Sequence, residues 1–173
     1  MKATYIETNR LILRNFRLED AKGMFDLNND PEVIQHVPDG PFESIDAASK
    51  FIRNYEAYDK TGMGRWTVLD KSNETYLGWC GLRREESLEY VDLGFRFLKQ
   101  HWNKGYATES ATAALKQGFE ELNLETIIGR TRPENFKSIK VLEKLNFSLW
   151  KEGEDADHKI LIYKLDKKDF NEL

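Results

Sequence analysis

The sequence predicts a mixed α/β domain, and three observations carry that prediction. Tyr90 to Leu98 alternates, with Val91, Leu93, Phe95 and Phe97 on one face and Tyr90, Asp92, Gly94 and Arg96 on the other, the two-residue period of a strand. From Gly105 the period switches: Ala107, Ala111, Ala114, Gly118 and Leu122 share one helical stripe. Beyond that stripe, strand-length and helix-length patterns alternate. At roughly 100–200 residues per domain, the 173 residues make one unit, residues 1–173, large enough to bury a core without disulfide or metal staples. No repeat, low-complexity tract or linker interrupts it.

The first strand runs from Arg10 to Arg14, with Leu11 and Leu13 on one face. A helical stretch follows near Leu18 to Asn28, with Ala21, Met24, Phe25 and Asn28 together. Asp30 to Gly40 is rich in turns, with a short helix at Pro31 to His36. Ser44 reads as an N-cap, because its hydroxyl can accept from the free first-turn amides. Ala48, Phe51, Ile52 and Tyr55 line the helix after it. Arg65 to Asp70 and Tyr76 to Arg83 are strands joined by a hairpin turn at Lys71 to Thr75. A strand at Thr126 to Thr131 precedes a helix opened by Pro133 and Glu134, with Ile139, Leu142 and Leu145 inward. Two strands, about Phe147 to Glu152 and Lys159 to Leu165, close the pattern around an acidic loop, Gly153 to Asp157. The passage strand–helix–strand–helix in the second half predicts a crossover helix beside a parallel pair.

Composition excludes several function classes. Lys+Arg of 26 against Asp+Glu of 30 gives a net charge of −4, not the basic footprint of a general nucleic-acid binder. With 40% hydrophobic residues the chain is globular rather than disordered. A single cysteine, Cys80, rules out an intrachain disulfide framework and reads as a small buried hydrophobe. His36, His101 and His158 have no metal-type spacing, so no metal is expected. No apolar run approaches the roughly 18 residues of a membrane span, and the first residues lack a signal-peptide core. A cytoplasmic protein without membrane or nucleic-acid partners is the expectation.

Phe97 to Glu109 is the stretch with chemistry in it: a strand, a short link, then Trp102-Asn103-Lys104-Gly105-Tyr106-Ala107-Thr108-Glu109 opening a helix. A helix start offers unpaired N–H donors and partial positive charge. Gly105 lets a ligand approach the backbone and Ala107 keeps the surface low, which suits a pyrophosphate. A plain turn has the same signature. The segment matches neither a P-loop nor a dinucleotide fingerprint.

That stretch resembles motif A of the GNAT family of N-acetyltransferases, Q/R-x-x-G-x-G/A, and most closely the ribosomal-protein alanine N-acetyltransferase type. Asn9 to Arg14 is similar to that type's T-x-R-L-x-L-R strand, Leu77-Gly78-Trp79-Cys80-Gly81-Leu82 to its I-G-x-x-G-L, and Asp92-Leu93-Gly94-Phe95 to its E-I-G-Y. Pro133 to Phe147 is similar to P-x-N-x-x-S-x-x-V-L-E-K-L-G-F. Together these motifs cover essentially the whole chain. The resemblance implies an α/β fold with about seven strands in a mixed, mostly antiparallel sheet, splayed at its parallel central pair and flanked by about four helices. It implies acetyl-CoA as acetyl donor, with pantetheine on the main chain of Phe97 and Leu98. The pyrophosphate would sit on Asn103, Lys104, Gly105, Tyr106, Ala107 and Thr108, and Asn135 would bind the cofactor or order the site. Two departures stand out: Trp102 replaces the family's Gln or Arg, and Asn146 replaces the usual Gly before Phe147, where Asn still permits a left-handed cap.

The implied reaction is acetyl transfer to a primary amine by direct attack in a ternary complex. The acceptor would be a peptide or ribosomal-protein N-terminus, or a small cationic amine, and the protein a monomer or homodimer. At pH 7 an α-amine is about one-seventh neutral, whereas a lysine-like amine is neutral only about four times in ten thousand. Asp92, two residues before Gly94, is the candidate base; it can equally pair with Arg96 on its own strand face. Glu85, Glu86 and Glu89 are alternatives. The family's tyrosine acid is absent, because its position is Leu142. Ser138, three residues after Asn135, is the alternative proton donor, or an ordinary residue of a helix's first turn. A non-catalytic acyl-CoA sensor or interaction module is the competing reading.

Overall fold

Eight strands form one sheet in the order β1-β2-β3-β4-β5-β6-β8-β7 in the computed structural model, which describes residues 5–84, 89–155 and 157–170. The strands are β1 (Tyr5–Glu7), β2 (Leu11–Arg14), β3 (Arg65–Asp70), β4 (Tyr76–Arg84), β5 (Val91–Phe97), β6 (Thr126–Thr131), β7 (Ser148–Asp155) and β8 (His158–Asp166). The helices are α1 (Ala21–Asn29), α2 (Pro31–Ile34), α3 (Ile45–Arg53), α4 (Ala57–Thr61), α5 (Tyr106–Lys116) and α6 (Phe136–Lys144). The sheet is antiparallel except for β5 beside β6. The mixed class and the parallel pair match the expectation. The strand number does not: β1 is added to the seven expected, a three-residue edge strand whose half-exposed residues leave no alternation to read. The short helix α4 was not expected either. The acidic stretch 153–157 is not a free loop, since Gly153, Glu154 and Asp155 are ladder partners of Ile160, Lys159 and His158. Main-chain pairing there overrides the polar side chains.

The alternation of β5 sets the two faces of the sheet. Leu93 lies opposite Leu82, Phe95 opposite Cys80 and Phe97 opposite Gly78, on the face that holds the main core. Helix α5 packs there through Ala111, Ala114 and Leu115, all fully buried, and small alanines let the helix lie close to β4 and β5. A π-turn over Gln117–Glu121 extends the helix and buries Phe119. Each fully buried Leu on this face contributes about 1.5–3 kcal/mol of burial.

The opposite face carries Arg65, Trp79, Arg83, Asp92 and Arg96; helix α1 covers part of it, and α3 packs against α1. These two helices share a small separate cluster of Ala21, Met24, Ala48 and Ile52, with Phe16, Phe25 and Phe42 packed against it. Gly23 of α1 lies against the Tyr76 ring of β4, and a buried polar group adds to this attachment. Arg14 on β2 forms a bidentate pair with buried Asp20 at 2.8 Å, and Thr67 Oγ1 donates to the same carboxylate at 2.6 Å. Ser44 caps α3 as expected, accepting from Ala47 N at 3.1 Å. Asn146 takes φ 66°, with Phe147 N bonded to Leu142 O and Asn146 N to Glu143 O, so the left-handed cap of α6 survives without glycine. No helix among the described residues is long and apolar enough to cross a membrane.

Candidate active site

Strands β5 and β6 are paired only at Val91–Ile127, Asp92–Ile128 and Leu93–Gly129. Beyond that point β5 continues along β4 and β6 along β8, so the sheet opens. A cleft of about 1080 Å³ occupies the opening. Gly94, Phe95, Arg96 and Phe97 line it from one strand, and Arg130, Thr131 and Arg132 from the other side. The N-terminal turns of α5 and α6 flank it.

Leu98 N donates to Leu77 O at 3.0 Å, which turns the Leu98 amide toward β4. By strand alternation the amide and carbonyl of Phe97 then face the gap, where an extended chain can add to the strand edge. Phe97 O already accepts from the Trp102 indole Nε1 at 2.8 Å. Thus Trp102, the departure from the family pattern, ties the link before α5 to the strand. Lys137 of α6 places its Nζ 3.9 Å from the Trp102 ring, joining the two sides of the cleft.

Gly105 caps α5 with φ 80°, and no side chain occupies the cap. A β-carbon built on Gly105 meets only Arg10 Nη2, at 3.4 Å, so the backbone there stays open to a ligand. Asn103 also has positive φ, 60°. The first bonded amide of the turn is Glu109 N, to Gly105 O, and the amides of Tyr106, Ala107 and Thr108 precede it with no intrahelical acceptor. Such a cradle fits a pyrophosphate. Lys137, Lys140 and Lys144 recur along α6 and line the same cleft. Sequence reasoning missed them; their spacing of three and four was a readable signal. They supply local positive charge in a chain of net charge −4. The donor set therefore fits acetyl-CoA.

Of the residues expected to hold the cofactor, Phe97, Asn103, Gly105, Ala107, Thr108 and Asn135 line the cleft. Leu98, Lys104 and Tyr106 do not: the Lys104 carbonyl accepts from Arg10 at 3.0 Å, and the Tyr106 ring lies under the same guanidinium. Asn135 caps α6, its Oδ1 accepting from Ser138 N at 3.2 Å. Ser138 and Asp92 border the same cleft.

Asp92 is 4% exposed and does not pair with Arg96. Its Oδ2 meets Arg65 Nη2 in a close ion pair, and its Oδ1 accepts from Arg130 Nε at 3.2 Å. Arg65 also donates to Gly81 O and Asp92 O at 2.6 and 2.9 Å. The guanidinium lies over Gly94, where an added β-carbon would sit 2.6 Å from Arg65 Cζ; this explains the glycine. Two guanidiniums engage both oxygens of the Asp92 carboxylate, which leaves neither oxygen without a partner. Glu85 and Glu86 lie outside the described residues, and Glu89 is exposed and does not line the cleft. Leu142, in place of the tyrosine acid, is buried against Gly129 on the parallel pair.

Phe16, Phe42, Phe51, Tyr55 and Trp79 also line the cleft. Tyr55 OH accepts from Arg65 N at 2.7 Å, and burial raises the pKa of this phenol. Arg96 donates to Asn28 Oδ1 at 2.6 Å and to Asp39 Oδ2 at 2.8 Å.

A family model described as an acetyltransferase (GNAT) domain matches residues 10–148. The uncharacterized N-acetyltransferase p20 of Bacillus licheniformis is 32% identical over 148 residues, covering 84% of this chain and 82% of its own. Spermidine N-acetyltransferase from Vibrio cholerae, solved in complex with CoA and spermine, superposes with TM-score 0.78 at 20% identity over 94% of this chain and 98% of its own. Ribosomal-protein-S5-alanine acetyltransferase from Vibrio fischeri superposes with TM-score 0.73 at 17% identity over 97% and 99%.

Proposed function

Because this chain belongs to the GNAT acetyltransferases, we propose that it moves an acetyl group from acetyl-CoA to a primary amine by direct attack within a ternary complex. One observation carries the reading: the parallel pair parts after Leu93 and Gly129, with the open, Gly105-capped start of α5 at the mouth of the gap. The main chain of Phe97 and the cap of α6 at Asn135 would orient the pantetheine arm. The amides of Asn103, Gly105, Ala107 and Thr108, with Lys137 and Lys140, would hold the phosphates. Acetyl-CoA supplies an activated thioester carbonyl.

The chain's own residues then position the amine and manage two protons. The amine must be neutral when its nitrogen bonds the acetyl carbon and the carbon–sulfur bond breaks. Asp92, held by Arg65 and Arg130, acts in this proposal as a positioning residue that fixes the cleft floor. The acceptor's proton then goes to solvent, and solvent returns a proton to Ser138 after it has protonated the sulfur. Ser138 is the proposed donor to the departing sulfur, because it borders the cleft at the first turn of α6. The similar proteins put a protein N-terminus and a small cationic amine first among acceptors to try. The second reading, an acyl-CoA sensor, is favoured by the buried Leu142 and the doubly paired Asp92.

A thiol-release assay with acetyl-CoA over peptides, polyamines and amino acids separates the two. Thiol release with one amine class supports the enzyme; tight acetyl-CoA binding with no release for any amine supports the sensor. Gly105→Glu places a carboxylate in the cradle, and acetyl-CoA binding by calorimetry is expected to vanish. Unchanged binding would move the pyrophosphate elsewhere.

A further inference from the structure

The cleft lining includes an arginine with a buried, unpartnered donor and several aromatic rings. Arg96 is only 8% exposed. Its Nη1 meets a neutral partner, Asn28, and its Nη2 meets Asp39, whose side chain is 62% exposed. Its Nε is buried and has no partner among the described residues. A buried guanidinium with an unmet donor bears an uncompensated desolvation cost. The Nε–Nη2 edge is the one that grips a carboxylate with two parallel bonds, and here Nη2 is held only by an exposed loop carboxylate.

Arg96 lies against one aromatic ring, and more rings line the same cleft. Trp79 faces it across β4 and β5, with Arg96 Cζ 5.2 Å and Arg65 Cζ 5.4 Å from the Trp79 ring centre. Phe16, Phe51 and Tyr55 form a contiguous wall, with centroids 4.9 Å apart for Phe16–Tyr55 and 5.7 Å for Phe51–Tyr55. Asp39 and Asp92, two of the carboxylates that line the cleft, are each already held by arginine. A polyamine would bring several ammonium groups to two guanidiniums and find these counter-charges engaged.

Resting on the reading that this cleft takes an amine, we infer that the acceptor carries a carboxylate and an aromatic ring beside that amine, as an aromatic α-amino acid does. The carboxylate binds the Nε–Nη2 edge of Arg96 and the ring packs among Trp79, Phe51 and Tyr55. The amine is left toward the opening of the sheet.

The test is a thiol-release comparison of L-phenylalanine and L-tryptophan with their carboxamides, spermidine and an alanine-initiated peptide. The wild-type chain is expected to favour the acids over the carboxamides by about tenfold or more in kcat/KM, the worth of one charge-assisted contact. Arg96→Gln is expected to erase that preference by raising KM for the acids alone, with KM for acetyl-CoA unchanged. Arg96→Lys is expected to keep part of the preference. A purely structural Arg96 would shift acid and carboxamide together, which would overturn the inference. Equal use of acid and carboxamide, or preference for spermidine or the peptide, would overturn it in the wild-type chain, whether or not a variant folds. Those results leave the acetyltransferase reading standing; absence of thiol release with every amine would overturn both.

Discussion

Arg10 and Glu109, 99 residues apart, are clamped together at the start of α5: Arg10 N donates to Glu109 Oε1 at 3.0 Å and Arg10 Nε to Oε2 at 2.7 Å. The same arginine donates to Lys104 O at 3.0 Å and stacks on Tyr106 at 4.7 Å, while Thr8 donates to Glu109 at 2.6 Å. The residues ahead of β2 thereby fix the loop proposed to hold the pyrophosphate, without themselves lining the cleft. Arg10→Ala is expected to weaken acetyl-CoA binding about fivefold, since ordering the loop would then cost about 1 kcal/mol more. Calorimetric Kd checks this, with kcat at saturating acetyl-CoA expected to stay near wild type.

The clamp also makes a pH prediction. Burial acts to raise the Glu109 carboxyl pKa, and the bonds from Thr8 and Arg10 outweigh it, leaving the pKa below its ordinary 4.5. A carboxylate depressed by folding stabilises fully above its unfolded pKa, and that contribution fades as pH falls through the folded value. Glu109→Gln is therefore expected to lower urea stability at pH 7, with the gap to wild type closing below about pH 4.5. A gap independent of pH would show that charge plays no part.

Asp92→Asn separates a floor residue from a base. Neutralising it leaves Arg65 and Arg130 short of a buried counter-charge, at a cost of about 3–5 kcal/mol. A clearly lowered Tm is expected, with a pH profile of kcat/KM that still rises with the amine's own ionisation. An intact Tm with loss of that rising limb would make Asp92 the base.

Ser138→Ala is expected to lower kcat with little change in KM for either substrate and to shift the full rate to higher pH. Ser138 N is already bonded to Asn135, so the helix keeps its cap without the hydroxyl. An unaltered kcat and pH profile would leave Ser138 with a structural part only.

Cys80 is fully buried on β4, and burial pushes its thiol pKa up to about 12 against the pull of Ser110 and Arg65. The native chain is expected to stay unreactive to thiol reagents at pH 8 and to react fully in denaturant. The thiol-release assay then reads CoA alone. Fast labelling of the native chain would contradict this placement.

Much of the frame was legible because its signals are local. The alternation of Val91 to Phe97, the Ser44 cap, the left-handed Asn146 and the glycine-led start of α5 each follow from a few adjacent residues. The floor of the cleft was not legible, because strand register creates it. Asp92 looked free to pair with Arg96 two residues on, yet its partners come from β3 and β6. Arg96 instead reaches Asn28 on α1 and the loop at Asp39. Nothing local links Arg10 to Glu109 either, although both lie in stretches that resemble the family's motifs.

The most direct test of the central claim is an initial-rate matrix of acetyl-CoA against the best amine, read as CoA thiol with the acetylated amine confirmed by mass. Direct transfer in a ternary complex predicts double-reciprocal lines that intersect. Parallel lines, or no rate at any combination while acetyl-CoA binds, would contradict it.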